Sequence, residues 1–166
     1  MFTIETHSTG SSEEFYQELN IQLAALLSGE RDFICNAAQF SAFVMQTVTD
    51  LNWSGFYFAR GEELVLGPYV GKVACTRIPL GRGVCGKAAI TLQTQRIEDV
   101  HAFDGHIACD AASASEVVIP VVVNGQLIAV FDMDSPKVGR FSAVNQAGLE
   151  SFVATFIEAT DFSWSI

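Results

Sequence analysis

Hydrophobic positions along the chain follow two periods. Phe15, Leu19, Leu23, Leu26 and Leu27 recur at helical spacing behind Ser12-Glu13-Glu14, which sets acidic residues at the positive end of a helix dipole. Ser28-Gly29 ends that helix. A second helix is expected from Asp32 to about Thr49, burying Ile34, Ala37, Phe40, Val44, Val48 and Leu51. The middle of the chain turns β-like. Ser54–Ala59 and Glu63–Tyr69 are short aromatic or β-branched runs joined by Arg60-Gly61-Glu62, a predicted hairpin. Lys72–Pro79 is a further extended candidate. Gly81-Arg82-Gly83 makes a turn, and Val84–Leu92 a short helix.

Residues Asp99–Ser115 show no period and are rich in His, Gly, Ala, Ser and Asp. A loop that long inside a compact domain usually carries function. Glu116–Val123 and Gln126–Asp134 flank Asn124-Gly125, the strongest short hairpin signal in the chain. Both strands are apolar on both faces, as in the interior of a covered sheet. Ser142 caps a last helix, in which Leu149, Phe152, Val153, Phe156 and Ile157 form a core-facing stripe. Helices, then strands around a short helix, then a helix predict an α+β fold: a mostly antiparallel sheet with helices packed on it. Residues 1–12 are expected to be a flexible arm and 13–166 a single domain.

Charge removes some functions. Lys and Arg total 9 against 19 Asp and Glu, a net charge of −10, which repels phosphate backbones and anionic membrane surfaces. No nucleic-acid or membrane partner is expected. The longest apolar stretch, Val117–Val123, is interrupted by Pro120 and is far short of the ~20 residues a spanning helix needs. The N-terminus lacks a basic region followed by an apolar one, so a cytoplasmic location is expected. Cysteines that form disulfides in that compartment are usually catalytic or redox-sensing.

The cysteines are Cys35, Cys75, Cys85 and Cys109, with no CxxC pair. Cys35 falls on the presumed apolar side of its helix, as a small buried hydrophobe. Cys85 opens a helix, where the dipole favours a thiolate. Cys109 lies in the polar loop, in Gly105-His106-Ile107-Ala108-Cys109-Asp110. Each thiol by itself suits a structural role, but three beside irregular segments suit redox chemistry equally well. His101, His106 and Cys109 are close enough to chelate, yet no second short-spaced pair completes a zinc site, and no metal is expected.

Asp132 and Asp134 alternate with Met133 and share a strand face, either as a charged site or as an ordinary strand end entering the Asp134-Ser135-Pro136 turn. Glu116 depends on register. A two-residue turn carried through the hairpin sets it opposite Met133, facing away from the aspartates. A three-residue loop with a glycine bulge sets it beside Asp132, and a bulge at Pro120 also shifts it. If the three acids form one site, unbroken two-residue pairing must be wrong. Trp53 and Tyr57, in Asn52-Trp53-Ser54-Gly55-Phe56-Tyr57, serve either as core or as the wall of a small-ligand pocket.

Several of these segments together resemble one family. NWSGFY (Asn52–Tyr57), LGPYVGKVACTRIPLGRGVCG (Leu66–Gly86), EDVHAFDGHIACDAA (Glu98–Ala112), Ser115-Glu116 and DMDSP (Asp132–Pro136) closely resemble the free methionine-R-sulfoxide reductases, stand-alone GAF-domain enzymes. The resemblance runs from about Glu13 to Ile157. It implies a GAF fold, with N- and C-terminal helices on one side of the sheet and a loop-built pocket on the other. It implies free methionine R-sulfoxide as substrate, Cys109 as the attacking cysteine, Cys75 as the main resolving cysteine and Cys85 as a second exchange partner. Glu116, Asp132 and Asp134 match pocket carboxylates, with Glu116 or Asp134 the candidate proton donor. Trp53 and Tyr57 match pocket aromatics. Glu98 matches a further acidic contact that neighbouring Asp99 could supply instead. No cofactor is implied beyond a reductant such as thioredoxin, and a homodimer is compatible with the pattern. The alternative reading is a GAF module that senses a ligand without turnover.

Overall fold

The structure, a computed structural model, describes residues 2–5, 10, 12–103 and 111–163. The arm expected over 1–12 falls partly outside them, and the centre of the long loop, with His106 and Cys109, wholly so.

Local capping chemistry sets the helix ends. The Ser12 hydroxyl accepts a hydrogen bond from the Phe15 amide (3.2 Å) and starts α1, Glu13–Leu27. Asp32 accepts from the Cys35 amide (2.8 Å) and starts α2, Phe33–Thr47. This helix stops short of Thr49, because Val48 turns extended (φ −93°, ψ 110°), and Asp50 beyond it adopts a left-handed φ of 62°. Its buried arc includes Phe33, Ala37, Phe40, Phe43 and Val44, while Ile34 and Leu51 are only half-buried. Cys35 lies off that arc and is exposed, so the expectation of a buried thiol is corrected. The next element is the hairpin of β1, Trp53–Arg60, and β2, Glu63–Gly71. Its turn is tighter than expected, because Arg60 itself pairs with Glu63.

Of the predicted extended run after β2, only Arg77–Pro79 forms a strand, β3. Then come α3, Gly83–Thr91, and β4, Gln95–Ile97, too short to show a strand period in the sequence. A single 3-10 turn occupies Val100–Ala102. The strands β5, Ser115–Val123, and β6, Gln126–Ser135, form the Asn-Gly hairpin. The last helix, α4, Ala143–Ala159, begins with a reciprocal capping box between Ser142 and Asn145.

The six strands form one antiparallel sheet in the order β3-β2-β1-β6-β5-β4. The β5–β6 register departs from each simple expectation. At the tip Val123 faces Gln126 and Val122 faces Leu127, as a two-residue turn requires. Then Val121 faces Ala129, so Ile128 is an extra residue on β6. The bulge lies at Ile128, not at Pro120, and it sets Glu116 opposite Asp134 instead of Met133 or Asp132.

Strand alternation separates two faces. Phe56, Phe58, Val117, Ile119, Phe131 and Met133 point to a large core closed by α1, α2 and α4. Phe40 makes an edge contact with Phe131, with ring centroids 4.6 Å apart, and packs on Phe56 and Phe156. Each fully buried side chain of this size contributes about 1.5–3 kcal/mol. Trp53, Tyr57, Leu64, Val118 and Val130 point the other way, under α3. With three helices on one face, the opposite face, covered by α3 and irregular chain, can hold a site. Among the described residues no helix is long and apolar enough to cross a membrane.

Candidate active site

Register assembles the site. Trp53 on β1 faces Asp134 on β6, which faces Glu116 on β5, which faces Ile97 on β4. One pleat further along, Gly55 faces Asp132, which faces Val118. The three acids named from sequence therefore lie in adjacent rows on one face, beside Trp53. Gly55 and Gly71 make room for that tryptophan. A Cβ on Gly55 would sit 2.2 Å from Tyr69 Cβ and 2.8 Å from Trp53 Cη2, and one on Gly71 would sit 2.5 Å from Trp53 Cδ1.

From above, α3 lowers Cys85 onto the acids. Cys85, Glu116 and Asp132 are all buried, and each offers a sulfur or oxygen atom within 4.8 Å of the others. The thiol hydrogen-bonds the Asp132 carboxyl, and Asp132 is also hydrogen-bonded to Glu116. The expectation of a helix-favoured thiolate at Cys85 is corrected. Burial pushes this thiol well up, and the charges of Asp132, Glu116 and Asp134 push it further, outweighing the terminus of one short helix.

The same physics governs the carboxyls. Burial, then Asp134, raises Glu116 well above the usual carboxylate range; burial, then Glu116, raises Asp132. A dry site with several carboxyls retains protons. Glu116 keeps its candidacy as a proton donor, and Asp132, expected to bind substrate, shares the property. One Asp132 oxygen, Oδ1, is buried with no hydrogen-bond partner among the described residues. Asp134 is half-buried at the rim. Together Cys85, Glu116 and Asp132 are a donor set able to hold a borderline divalent ion such as zinc.

Trp53 lies between two tyrosines, stacked on Tyr57 (centroids 5.7 Å apart, planes at 21°) and on Tyr69 (5.2 Å, 14°). Tyr69 was not singled out from sequence; only the β1–β2 register, which sets it opposite Gly55, brings it there. The Trp53 indole donates to the Lys72 carbonyl (3.2 Å), and the Tyr57 hydroxyl donates to the Cys75 carbonyl (3.0 Å). Burial raises the Tyr57 phenol far above its ordinary value, so it stays a donor. Cys75 is disulfide-bonded, whereas Cys35 and Cys85 carry free thiols.

Other expected residues lie apart from this cluster. Glu98 is exposed just beyond β4, and its carbonyl accepts from the Gly139 amide (2.8 Å). Asp99 spends its carboxylate capping the 3-10 turn through the His101 amide (2.9 Å). Cys109 lies outside the described residues, but the flanking chain is anchored at the end of the sheet that carries the acids. The Val100 amide donates to the Ala114 carbonyl (2.9 Å), the Ala114 amide to the Ser135 carbonyl (2.7 Å), and the Asn52 side chain to the Ser113 hydroxyl (3.2 Å).

Comparison with known proteins places this geometry. The GAF domain family matches residues 36–159. The free methionine-R-sulfoxide reductase of Escherichia coli is 55% identical over 141 residues, covering 85% of this chain and 86% of its own. The crystal structure of the Neisseria meningitidis free methionine-R-sulfoxide reductase in complex with its substrate superposes with a TM-score of 0.91 at 33% identity, covering 96% of this chain and 95% of that one. A Burkholderia vietnamiensis structure with a provisional GAF sensor designation has 53% identity and a TM-score of 0.86, covering 90% of this chain and 96% of that one.

Proposed function

We propose that this chain, which belongs to the GAF domain family and within it to the free methionine-R-sulfoxide reductases, reduces free methionine R-sulfoxide to methionine. The observation that carries the reading is the row of Trp53, Asp134 and Glu116 across three strands, with Asp132 one pleat away and the disulfide-forming Cys75 bound to Tyr57.

In this reading the Cys109 sulfur attacks the sulfoxide sulfur. The oxygen takes a proton from Glu116, whose carboxyl burial and Asp134 push well above the usual carboxylate range. The hydroxyl then passes from the substrate sulfur to the Cys109 sulfur as the bond between the two sulfurs breaks, so methionine leaves reduced by two electrons and Cys109 is left as a sulfenic acid. Cys75 then attacks the Cys109 sulfur. The S–O bond breaks, an S–S bond forms, and the Cys75 proton leaves with the oxygen as water. A dithiol protein such as thioredoxin restores both thiols by exchange, which suits a reducing compartment such as the cytoplasm. Cys75 takes the resolving role in preference to Cys85, because a buried thiol raised by three carboxylates attacks poorly.

Negative charge selects the substrate. The rim carboxyl of Asp134 supplies that charge for an ammonium group, and the unpartnered Asp132 Oδ1 can accept a hydrogen bond from it. A free amino acid carries one where a residue inside a protein has an amide. Trp53 covers the methyl end. The ammonium also offsets the anionic field that opposes a Cys109 thiolate, so the thiolate forms once substrate is bound.

The test is consumption of free methionine sulfoxide, resolved by epimer, with a dithiol reductant. Wild-type protein is expected to consume the R epimer alone and Cys109→Ser neither. Turnover by Cys109→Ser, or equal loss of both epimers, would overturn the reading.

A further inference from the structure

The two aromatics that wall the site have polar ends directed at one short segment. Chain 72–75 lies between the end of β2 and β3, and only at Thr76, whose carbonyl accepts from the Leu66 amide (3.0 Å), does a described backbone hydrogen bond tie it back to β2. Side chains hold two of its carbonyls. The Trp53 indole holds the Lys72 carbonyl at one end, and the Tyr57 hydroxyl holds the Cys75 carbonyl at the other. Because the two rings are stacked, both anchors belong to a single plate rooted in β1, the strand next to the one bearing Asp132 and Asp134. Between the anchors Val73 is 86% exposed, and Ala74 and Cys75 pack only partly on the core below α3.

A residue that only lined the pocket would offer the substrate its polar group. Tyr57 is 1% exposed and its hydroxyl is committed to the backbone of Cys75. We propose that Tyr57 is a positioning residue for the resolving step: through the Cys75 carbonyl it holds the Cys75 thiol where that thiol can attack the sulfenic acid on Cys109. The inference rests on the reductase reading and adds a second task for the pocket wall. A cysteine that alternates between thiol and disulfide must be free to turn at its side chain. Holding a reacting group in place raises its effective concentration, and small losses of placement cost rate steeply.

The step balances as written above: the Cys75–Cys109 bond forms, the Cys109 S–O bond breaks, and water leaves with the Cys75 proton. Tyr57→Phe keeps the ring and removes only the donor. Reduced protein is mixed with stoichiometric free methionine R-sulfoxide without external reductant, and two quantities are followed. Methionine reports the first chemical step, and dimedone-trapped sulfenic acid reports the wait for resolution. In Tyr57→Phe the rate of sulfenic acid decay, relative to the rate of methionine formation, is expected to fall about ten-fold, the scale of one lost hydrogen bond. In a Cys75→Ser background the same substitution is expected to leave the sulfenic acid lifetime unaltered, because no resolving thiol is left to place. A ratio within two-fold of wild type, or an equal effect with and without Cys75, overturns the inference. Absence of methionine from wild-type protein overturns the reductase reading itself, a distinct result.

Discussion

Glu116 faces Asp134 directly across the β5–β6 ladder, and a single extra residue on β6, Ile128, makes that possible. Without the bulge Glu116 would face Met133, whose side chain lies in the phenylalanine-rich core on the helical side. A one-residue slip exchanges every side chain between the two faces. The bulge therefore decides whether three carboxyls meet in a pocket or one is forced into hydrocarbon.

Deletion of Ile128 is expected to be severe. Either β5 or β6 would have to reverse its faces, and β6 is also locked to β1 through Gly55–Asp132 and Trp53–Asp134. Urea denaturation should show a loss of at least about 4 kcal/mol, the range reserved for disrupted cores and unpaired buried charges. Ile128→Ala, which keeps the extra residue, should cost much less. Equal losses would refute the structural role of the bulge.

Stability should fall as pH rises above the ordinary carboxylate range. Glu116 and Asp132 hold their protons more tightly in the folded protein than in the unfolded chain. As pH rises through the unfolded values, near 4.5 for the glutamate, the unfolded chain releases protons first and is favoured until the folded carboxyls ionise. Glu116→Gln removes one contributor. It should flatten the stability profile between pH 5 and 8 and raise stability at pH 8 by about 1 kcal/mol, as relief of a functional-site conflict does. It should also slow methionine formation about 100-fold, the lower range of general-acid effects. A variant as fast as wild type would remove Glu116 as the donor.

Thiol labelling separates the two free cysteines. Cys35 is exposed on α2 and should react with iodoacetamide in native protein at pH 8. Cys85 is buried, and its thiol is pushed up by burial and by Asp132, Glu116 and Asp134, so it should react only after unfolding. Peptide mass spectrometry reads both. Rapid native labelling of Cys85 would contradict the site geometry.

Zinc should inhibit without being required. The Cys85–Glu116–Asp132 donor set can take the ion, and two of its members are the carboxyls assigned to the reaction. Activity should survive dialysis against a chelator. Added Zn2+ should compete with substrate, and Cys85→Ser should weaken inhibition by more than about ten-fold, since loss of even an outer-shell partner costs that much. Noncompetitive inhibition would place the ion elsewhere.

Much of the architecture was legible before any coordinates. Ser12, Asp32 and Ser142 announced three helices, because an N-cap acts on amides within three residues of itself. Asn124-Gly125 marked the β5–β6 turn for the same local reason. The short strand β4 was not legible, since three residues carry no measurable period. Cys35 was assigned to the wrong side of α2, because Phe33 rather than Ile34 joins Ala37 and Phe40 in the buried arc. Cys85 showed its helix terminus in the sequence but not its burial, and burial proved the stronger influence on the thiol.

The sequence by itself determined the inventory: four helices, three of them with a capping side chain, two hairpins, three spaced thiols beside irregular chain, and acids alternating along a hydrophobic strand. These are short-range properties, set by groups a few residues apart. Tertiary structure alone decided that Ile128 bulges, that Glu116 meets Asp134, that Tyr69 backs Trp53, and that the Tyr57 hydroxyl reaches the carbonyl of Cys75. Those relations join residues distant in the chain, and they follow from how two faces of one sheet divide apolar bulk from charge.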